Sequence, residues 1–184
     1  MTRERVEASL GAAYESLPED AAGGHEVYRG KVRDVVAGKD SLLLVASDRI
    51  SAFDRILSTV PFKGELLTRI AAFWFAATKD IVPNHVIAGP GELAGTGRAC
   101  LARKAGMLPL EVVVRGYLTG SAWRDYKAAK PISGISLPGG LRYNEKFPVP
   151  IITPSTKEAS GHDRPVSSAE IVSSGLVEEG LWRE

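Results

Sequence analysis

The 184-residue chain is long enough to bury a sizeable core as one domain or two small ones, and its 44% hydrophobic and 24% charged content excludes disordered, collagen-like and low-complexity classes. Lys and Arg number 23 against 22 Asp and Glu, so no global positive field invites nucleic acid, no polybasic face invites a membrane, and any anion site is local. The one cysteine, Cys100, excludes an intramolecular disulfide and a cysteine-rich zinc site, and with no basic-then-apolar leader or membrane-length apolar run a reducing cytoplasm is expected.

Val6, Leu10, Ala13, Tyr14 and Leu17 fall on one face of a predicted amphipathic helix that Pro18 and Gly23-Gly24 stop. Residues 26–36 read as one strand interrupted by Gly30, and Gly38-Lys39-Asp40 turns it into a second strand over 41–46, a β-hairpin. Within it, Tyr28-Arg-Gly-Lys-Val-Arg-Asp34 sets a glycine among cations, and strand alternation puts Lys31 and Arg33 on one face with Val32 on the other. Such a strand can cover nucleotide phosphates, or it can be a solvated edge bulged at the glycine. It is neither a P-loop nor a Gly-x-Gly-x-x-Gly fingerprint.

Ser47-Asp-Arg-Ile-Ser-Ala-Phe-Asp54 then packs two carboxylates, an arginine and two hydroxyls into eight residues. A turn network of Asp and Ser bonding to backbone accounts for part of this. The same groups can orient a polar substrate, with Lys63-Gly64 adding a cation beside a flexible position. Leu66, Leu67, Ile70, Phe73, Trp74, Ala77 and Ile81 repeat at helical spacing, which predicts a core helix over 65–79 with Trp74 inside. Residues 85–88, 98–103 and 112–114 read as short strands.

From Leu110 to Trp123 an apolar, buried strand is expected to run through a glycine-broken turn into a helix start. Arg115 stands at the strand exit, Gly116 and Gly120 let backbone approach a ligand, and Ser121 brings a hydroxyl to a helix N-terminus, which favours anions. A plain connector with a Ser cap has the same pattern. Residues 131–165 carry six of the eleven prolines and are predicted to be an ordered but irregular excursion. It collects Thr156, Lys157, His162 and Asp163, and a lone His beside an Asp is more often a local hydrogen-bonding pair than a catalytic dyad. Three scattered histidines without His-Glu-x-x-His argue against zinc, and no Gly-x-Ser-x-Gly elbow supports a serine hydrolase. Ser167-Ser-Ala-Glu170 has capping-box spacing and opens a short helix that Gly175 ends.

Taken in order, Gly-Lys-Val-Arg-Asp, Ser-Asp-Arg-Ile-Ser-Ala-Phe-Asp, Lys-Gly, Leu-Pro-Leu-Glu-Val-Val-Val-Arg-Gly-Tyr-Leu-Thr-Gly-Ser-Ala-Trp, Thr-Pro-Ser-Thr-Lys and Gly-His-Asp resemble the SAICAR synthetase family, over about residues 28–168. The resemblance implies an α+β fold, with a hairpin-rich antiparallel-sheet nucleotide domain over 1–104, part of an α/β substrate domain over 105–184, and ATP in the cleft between them. It implies an ATP-dependent ligase of purine biosynthesis that joins L-aspartate to carboxyaminoimidazole ribonucleotide through an acyl phosphate, with Mg2+. Gly30, Lys31, Val32 and Arg33 match its nucleotide-binding hairpin. Ser47, Asp48, Arg49, Ser51, Asp54, Lys63 and Gly64 match residues around the imidazole and incoming groups. Arg115 and Ser121 match the ribonucleotide phosphate site, and Thr156, Lys157, His162 and Asp163 match a second loop over the cleft. Lys31, Asp54 and Arg115 are the expected catalytic groups.

Two departures stand out. Ala159-Ser160 replace acidic residues that often precede Gly-His-Asp, and the family continues into an Asp-x-Lys-x-Glu-Phe-Gly strand that helps hold magnesium. The chain is therefore expected to be a truncated member whose metal ligands lie beyond residue 184. The rival readings are a non-catalytic homologue that only binds nucleotide or ribonucleotide, and an unrelated nucleotide-binding kinase. The expected partners are small molecules, not nucleic acid or membrane, and a homo-oligomer is left open.

Overall fold

A computed structural model describes residues 3–9, 12–93, 97–157 and 163–183. The chain divides into two compact units, Met1–Ala105 and Gly106–Glu184.

In the first unit the predicted long N-terminal helix is only α1, Arg3–Ala8. Ala13, Tyr14 and Leu17 lie in an extended stretch instead, because buried carboxylates take its backbone donors. Asp48 Oδ2 accepts from the Tyr14 N–H at 2.8 Å and Asp34 Oδ2 from the Leu17 N–H at 2.7 Å, so helical hydrogen bonds are displaced by tertiary ones. Leu10 lies outside the described residues.

The expected strand over 26–36 is two strands. β1 (Val27–Arg29) and β2 (Arg33–Ala37) pair antiparallel with Arg29 opposite Asp34, and the Gly30 N–H donates to Arg33 O at 2.8 Å, leaving Lys31 and Val32 at the tip. Gly30 marks a reversal, not a bulge: a Cβ there would sit 2.9 Å from Arg33 O. The second hairpin follows as predicted, with β2 pairing β3 (Ser41–Ala46), then β7 (Ala99–Arg103) and β6 (Val86–Ala88) completing a sheet of order β1-β2-β3-β7-β6. One face carries Val36, Val45 and Ala99, which bury Leu17 and Ala22 against them.

β4 (Arg49–Ala52) and β5 (Arg55–Thr59) form a separate hairpin, so half of the expected loop over 47–54 is strand. α2, Lys63–Ala77, crosses the other face of the sheet. Its small residues Gly64, Thr68, Ala71 and Ala72 face a cavity there, whereas Leu66, Ile70, Phe73 and Trp74 are exposed. The periodicity gave the helix correctly but not its inward face, and Trp74 is not core.

In the second unit β8 (Leu110–Tyr117) pairs antiparallel with the eleven-residue β9 (Lys146–Thr156), placing Val113 opposite Thr153 and Arg115 opposite Ile151. About a third of the supposedly irregular 131–165 excursion is thus regular strand. Pro148 and Pro150 fall where the register shifts between Arg115 and Tyr117, a place that tolerates their missing N–H groups. Val112, Val113 and Val114 are exposed, not buried as expected, since their side chains leave the strand through its faces and neither core of this unit includes them. α3 (Gly120–Lys127) packs Leu118, Ala122, Ile132 and Phe147 into one core. The Tyr126 hydroxyl donates to Pro138 O and accepts from the Leu141 N–H, both at 2.9 Å, which orders the remaining excursion. α4 (Ser168–Ser173) and α5 (Glu179–Arg183) close a second core of Val166, Ile171 and Val177. Ser167 caps α4 by accepting from the Glu170 N–H, and Gly175 follows at φ 70°, as the capping-box reading requires. No helix among the described residues is long and apolar enough to cross a membrane.

Candidate functional site

Between the five-stranded sheet and α2 lies a cavity of about 220 Å³. Its walls are mainly apolar, with Leu44, Ala46 and Cys100 from the sheet and Ala71, Ala72 and Phe75 from α2. Val32, Arg33, Ser47, Lys63, Gly64 and His85 also line it. Six of the expected residues are therefore brought to or beside one space: Val32, Arg33, Ser47, Lys63 and Gly64 in its wall, and Gly30 in the turn that carries Val32. Burial pushes the Cys100 thiol up from its ordinary value, against a smaller opposing pull from Arg33. The Ser47 hydroxyl is buried with no hydrogen-bond partner among the described residues.

Asp48 and Arg49 are not turned toward an open substrate. Asp48, 1% exposed, accepts from the N–H groups of Tyr14 and Gly64 and from Arg98 Nη1 at 2.9 Å. Burial alone would raise its carboxyl, but the Arg98, Gly64 and Tyr14 hydrogen bonds outweigh that and hold it below the usual range. Arg49 donates Nε to Lys31 O at 3.1 Å, Nη1 to Glu15 O at 2.5 Å, and Nη2 to Gly30 O at 2.9 Å and Asp34 Oδ1 at 2.8 Å. The guanidinium thus grips the backbone of the β1–β2 turn. Both residues, expected from sequence around the substrate, are saturated by internal partners, as a buried charge requires. Ser51 is half-buried on β4.

At the far end of the β4–β5 hairpin, Phe53 and Asp54 turn the chain at φ 51° and 59°, and Phe53 is 94% exposed. Lys31 Nζ meets Asp54 Oδ1 at 2.5 Å, so two of the three expected catalytic groups touch each other.

In the second unit Arg115 donates Nε to Thr153 Oγ1 at 3.0 Å and Nη2 to Ser121 Oγ at 3.1 Å. Thr153 is buried and passes its own proton to Val113 O at 3.0 Å, so the arginine is aimed by strand register. Thr119, not Ser121, is the residue before α3, and it makes no side-chain cap; Ser121 lies inside the first turn and its hydroxyl serves Arg115. Gly120 at φ 60° lets the turn pass, with its would-be Cβ 4.0 Å from Arg115 Nη1. The result is a cation, a hydroxyl and helix-start N–H groups in one place, a suitable anion seat.

Lys157 is elsewhere on the ribbon, six residues beyond Ile151, the β9 partner of Arg115, or about 20 Å of strand. It bridges Asp163 at 2.6 Å and Glu111 at 2.5 Å, and these two carboxylates hold its ammonium well above the ordinary lysine range. The buried Thr156 accepts from the Arg164 N–H at 3.2 Å, an internal tie and not an open ligand group. His162 lies outside the described residues. Sequence reasoning missed Arg98, Asp34 and Thr153. Strand alternation could have flagged Asp34, which shares the inward face of β2 with Val36, but nothing local ties Arg98 to Asp48 or Thr153 to Arg115.

The SAICAR synthetase family model matches residues 26–184. The phosphoribosylaminoimidazole-succinocarboxamide synthase of Thermodesulfovibrio yellowstonii is 48% identical over 155 residues, 78% of this chain and 53% of its own. That of Legionella pneumophila (strain Paris) is 46% identical over 162 residues, 85% and 50%. Among solved structures, SAICAR synthase from Saccharomyces cerevisiae complexed with SAICAR superposes with a TM-score of 0.80 at 37% identity, over 92% of this chain and 60% of that one. A type-2 SAICAR synthetase in complex with ADP gives a TM-score of 0.67 at 25% identity, over 86% and 61%. The chain spans about half the length of the curated relatives it matches.

Proposed function

The chain belongs to the SAICAR synthetase family, and we propose that it serves the ATP-dependent joining of L-aspartate to carboxyaminoimidazole ribonucleotide, giving SAICAR, ADP and phosphate. The observation that carries this reading is the apolar cavity under the five-stranded sheet, with Arg33 and Lys63 in its wall and the Gly30 turn beside it. At about 220 Å³ it is smaller than the ~300–1,000 Å³ of typical small-molecule pockets. It suits a flat heteroaromatic base, with the polyphosphate outside it beside the β1–β2 turn. Residues 1–104 thus supply nucleotide binding and residues 105–184 a ribonucleotide phosphate seat.

In the first half-reaction the ribonucleotide carboxylate attacks the γ-phosphorus and ADP leaves. In the second, the aspartate amine attacks the acyl carbon, loses a proton and expels phosphate. Neither step needs a protein nucleophile, so positioning and charge compensation suffice. Lys31 and Arg33 supply charge at the nucleotide turn. Arg115, aimed by Thr153 and backed by Ser121, supplies a charge-assisted contact worth about 1.5–3 kcal/mol at the ribonucleotide phosphate. The described residues contain no group of three or more His, Cys, Asp or Glu able to hold a metal. Mg2+ is ordinarily held by one or two carboxylates together with substrate phosphates, so it is expected to enter with ATP.

The test is product formation by mass spectrometry with MgATP, aspartate and the ribonucleotide, against reactions lacking each. Product that depends on every component supports the ligase reading, whereas ADP binding without product refutes it for this chain. Arg115→Ala should weaken ribonucleotide binding about tenfold or more while leaving ADP binding unchanged. Equal loss of both in a folded protein would remove Arg115 from the phosphate seat.

A further inference from the structure

Lys31 and Asp54 come from different hairpins and meet at their tips, 2.5 Å apart, with side chains 60% and 80% exposed. An ion pair so open to water is weakly held, and a polyphosphate can replace the carboxylate. Two features make the meeting more than a chance surface contact. At the base, Arg49 begins β4 and donates to the carbonyls of Gly30 and Lys31, fixing one hairpin to the turn of the other. At the tip, Phe53 and Asp54 both occupy the left-handed region without glycine, a conformation that β-hairpins ordinarily give to Asn-Gly. A strained turn on a fastened base delivers one carboxylate to one ammonium.

We propose that Asp54 is a positioning residue that holds the Lys31 ammonium at the hairpin tip and yields it to the nucleotide polyphosphate, so that it restrains nucleotide affinity. The inference rests on the nucleotide reading given above. Binding must break the pair before Lys31 can serve the phosphates. Removing the carboxylate should therefore tighten binding, the opposite of what loss of a catalytic or ligand-contacting group does. The gain must also pass through Lys31.

The experiment is an ADP titration by calorimetry at low ionic strength on the 184-residue protein, D54N, K31A and K31A/D54N. The expected result is a dissociation constant about 2- to 5-fold lower in D54N, which is the range set by exposed ion pairs. In the K31A background the D54N change should have no effect, and raising the salt should erase the gain. Asparagine accepts the left-handed turn, and Asp54→Gly, which removes the same carboxylate while relaxing the backbone, should tighten binding equally. ADP binding by D54N no tighter than by the unaltered protein overturns the proposal. So does equal tightening with and without Lys31, which marks a general loss of negative charge. Absence of ADP binding by all four proteins overturns the nucleotide reading itself and the latch with it.

Discussion

Gly64→Ala adds one methyl group where α2 meets the end of β3. Gly64 has no positive φ, so the glycine is needed for space and not for conformation. The new Cβ would stand 2.5 Å from Ala46 O, 2.9 Å from Ala46 C and 2.8 Å from Arg98 Nη1, against a floor of 3.0 Å for real Cβ contacts. Two of those atoms are backbone and the third is held by Asp48, so neither side yields freely. The helix start must back away by about half an ångström, which overpacking studies put at about 1–3 kcal/mol. That retreat stretches the 2.9 Å bond from the Gly64 N–H to Asp48, and a hydrogen bond to a charged group is worth about 1.5–3 kcal/mol. Together the loss should reach about 3–5 kcal/mol, or a Tm lower by about 6–20 °C in a chain of this size. Urea denaturation followed by circular dichroism measures it, with Gly139→Ala as control, since its Cβ would meet nothing within 4 Å. A Gly64→Ala midpoint equal to that of the unaltered protein would refute the close-approach argument.

Asp48→Asn should cost about 3–5 kcal/mol by leaving Arg98 without its buried partner, read as a lower urea midpoint. The folded Asp48 carboxyl is held below its ordinary 3.8, so the unfolded chain takes up that proton first. The stabilisation it gives is present above about pH 4 and is lost as pH falls through the folded value; an acid-unfolding curve should be shallower in Asp48→Asn. Gly116→Ala meets no atom within 4 Å and should leave stability within about 0.5 kcal/mol, so any large loss of ribonucleotide binding in that variant locates the ligand at this turn. Phe53→Asn should raise stability by about 1 kcal/mol, because an exposed left-handed phenylalanine gives way to a residue that tolerates the turn; an unchanged or lower Tm would count against strain at the hairpin tip.

Much of the fold was legible because its signals are local. The hairpin across residues 38–40, the helix that became α2, and the cap at Ser167 follow from turn chemistry, periodicity and capping spacing. The failures share one cause, long-range pairing. The stretch from Ala13 to Leu17 has helical spacing, yet carboxylates from Asp34 and Asp48 claim its N–H groups. β9 hid behind its prolines, since nothing in the sequence says that Pro148 and Pro150 fall at a register shift. At the sites, the residue types near Arg33, Lys63 and Arg115 were legible, but the burial of Asp48 and Arg49 was not, because charge density in a short motif does not reveal it.

On α2, Gly64, Thr68, Ala71 and Ala72 line the cavity together with Leu67 and Phe75, whereas Leu66, Ile70, Phe73 and Trp74 face outward. Part of the empty volume beneath it exists because Gly64, Thr68, Ala71 and Ala72 are small. Enlarging Ala71 or Ala72 would fill that volume with hydrocarbon and add apolar burial. A random search for thermostable variants is thus apt to select changes at these positions and to lose the space a base would occupy. In this chain, selection for ligand capacity and selection for stability pull in opposite directions at the same few alanines.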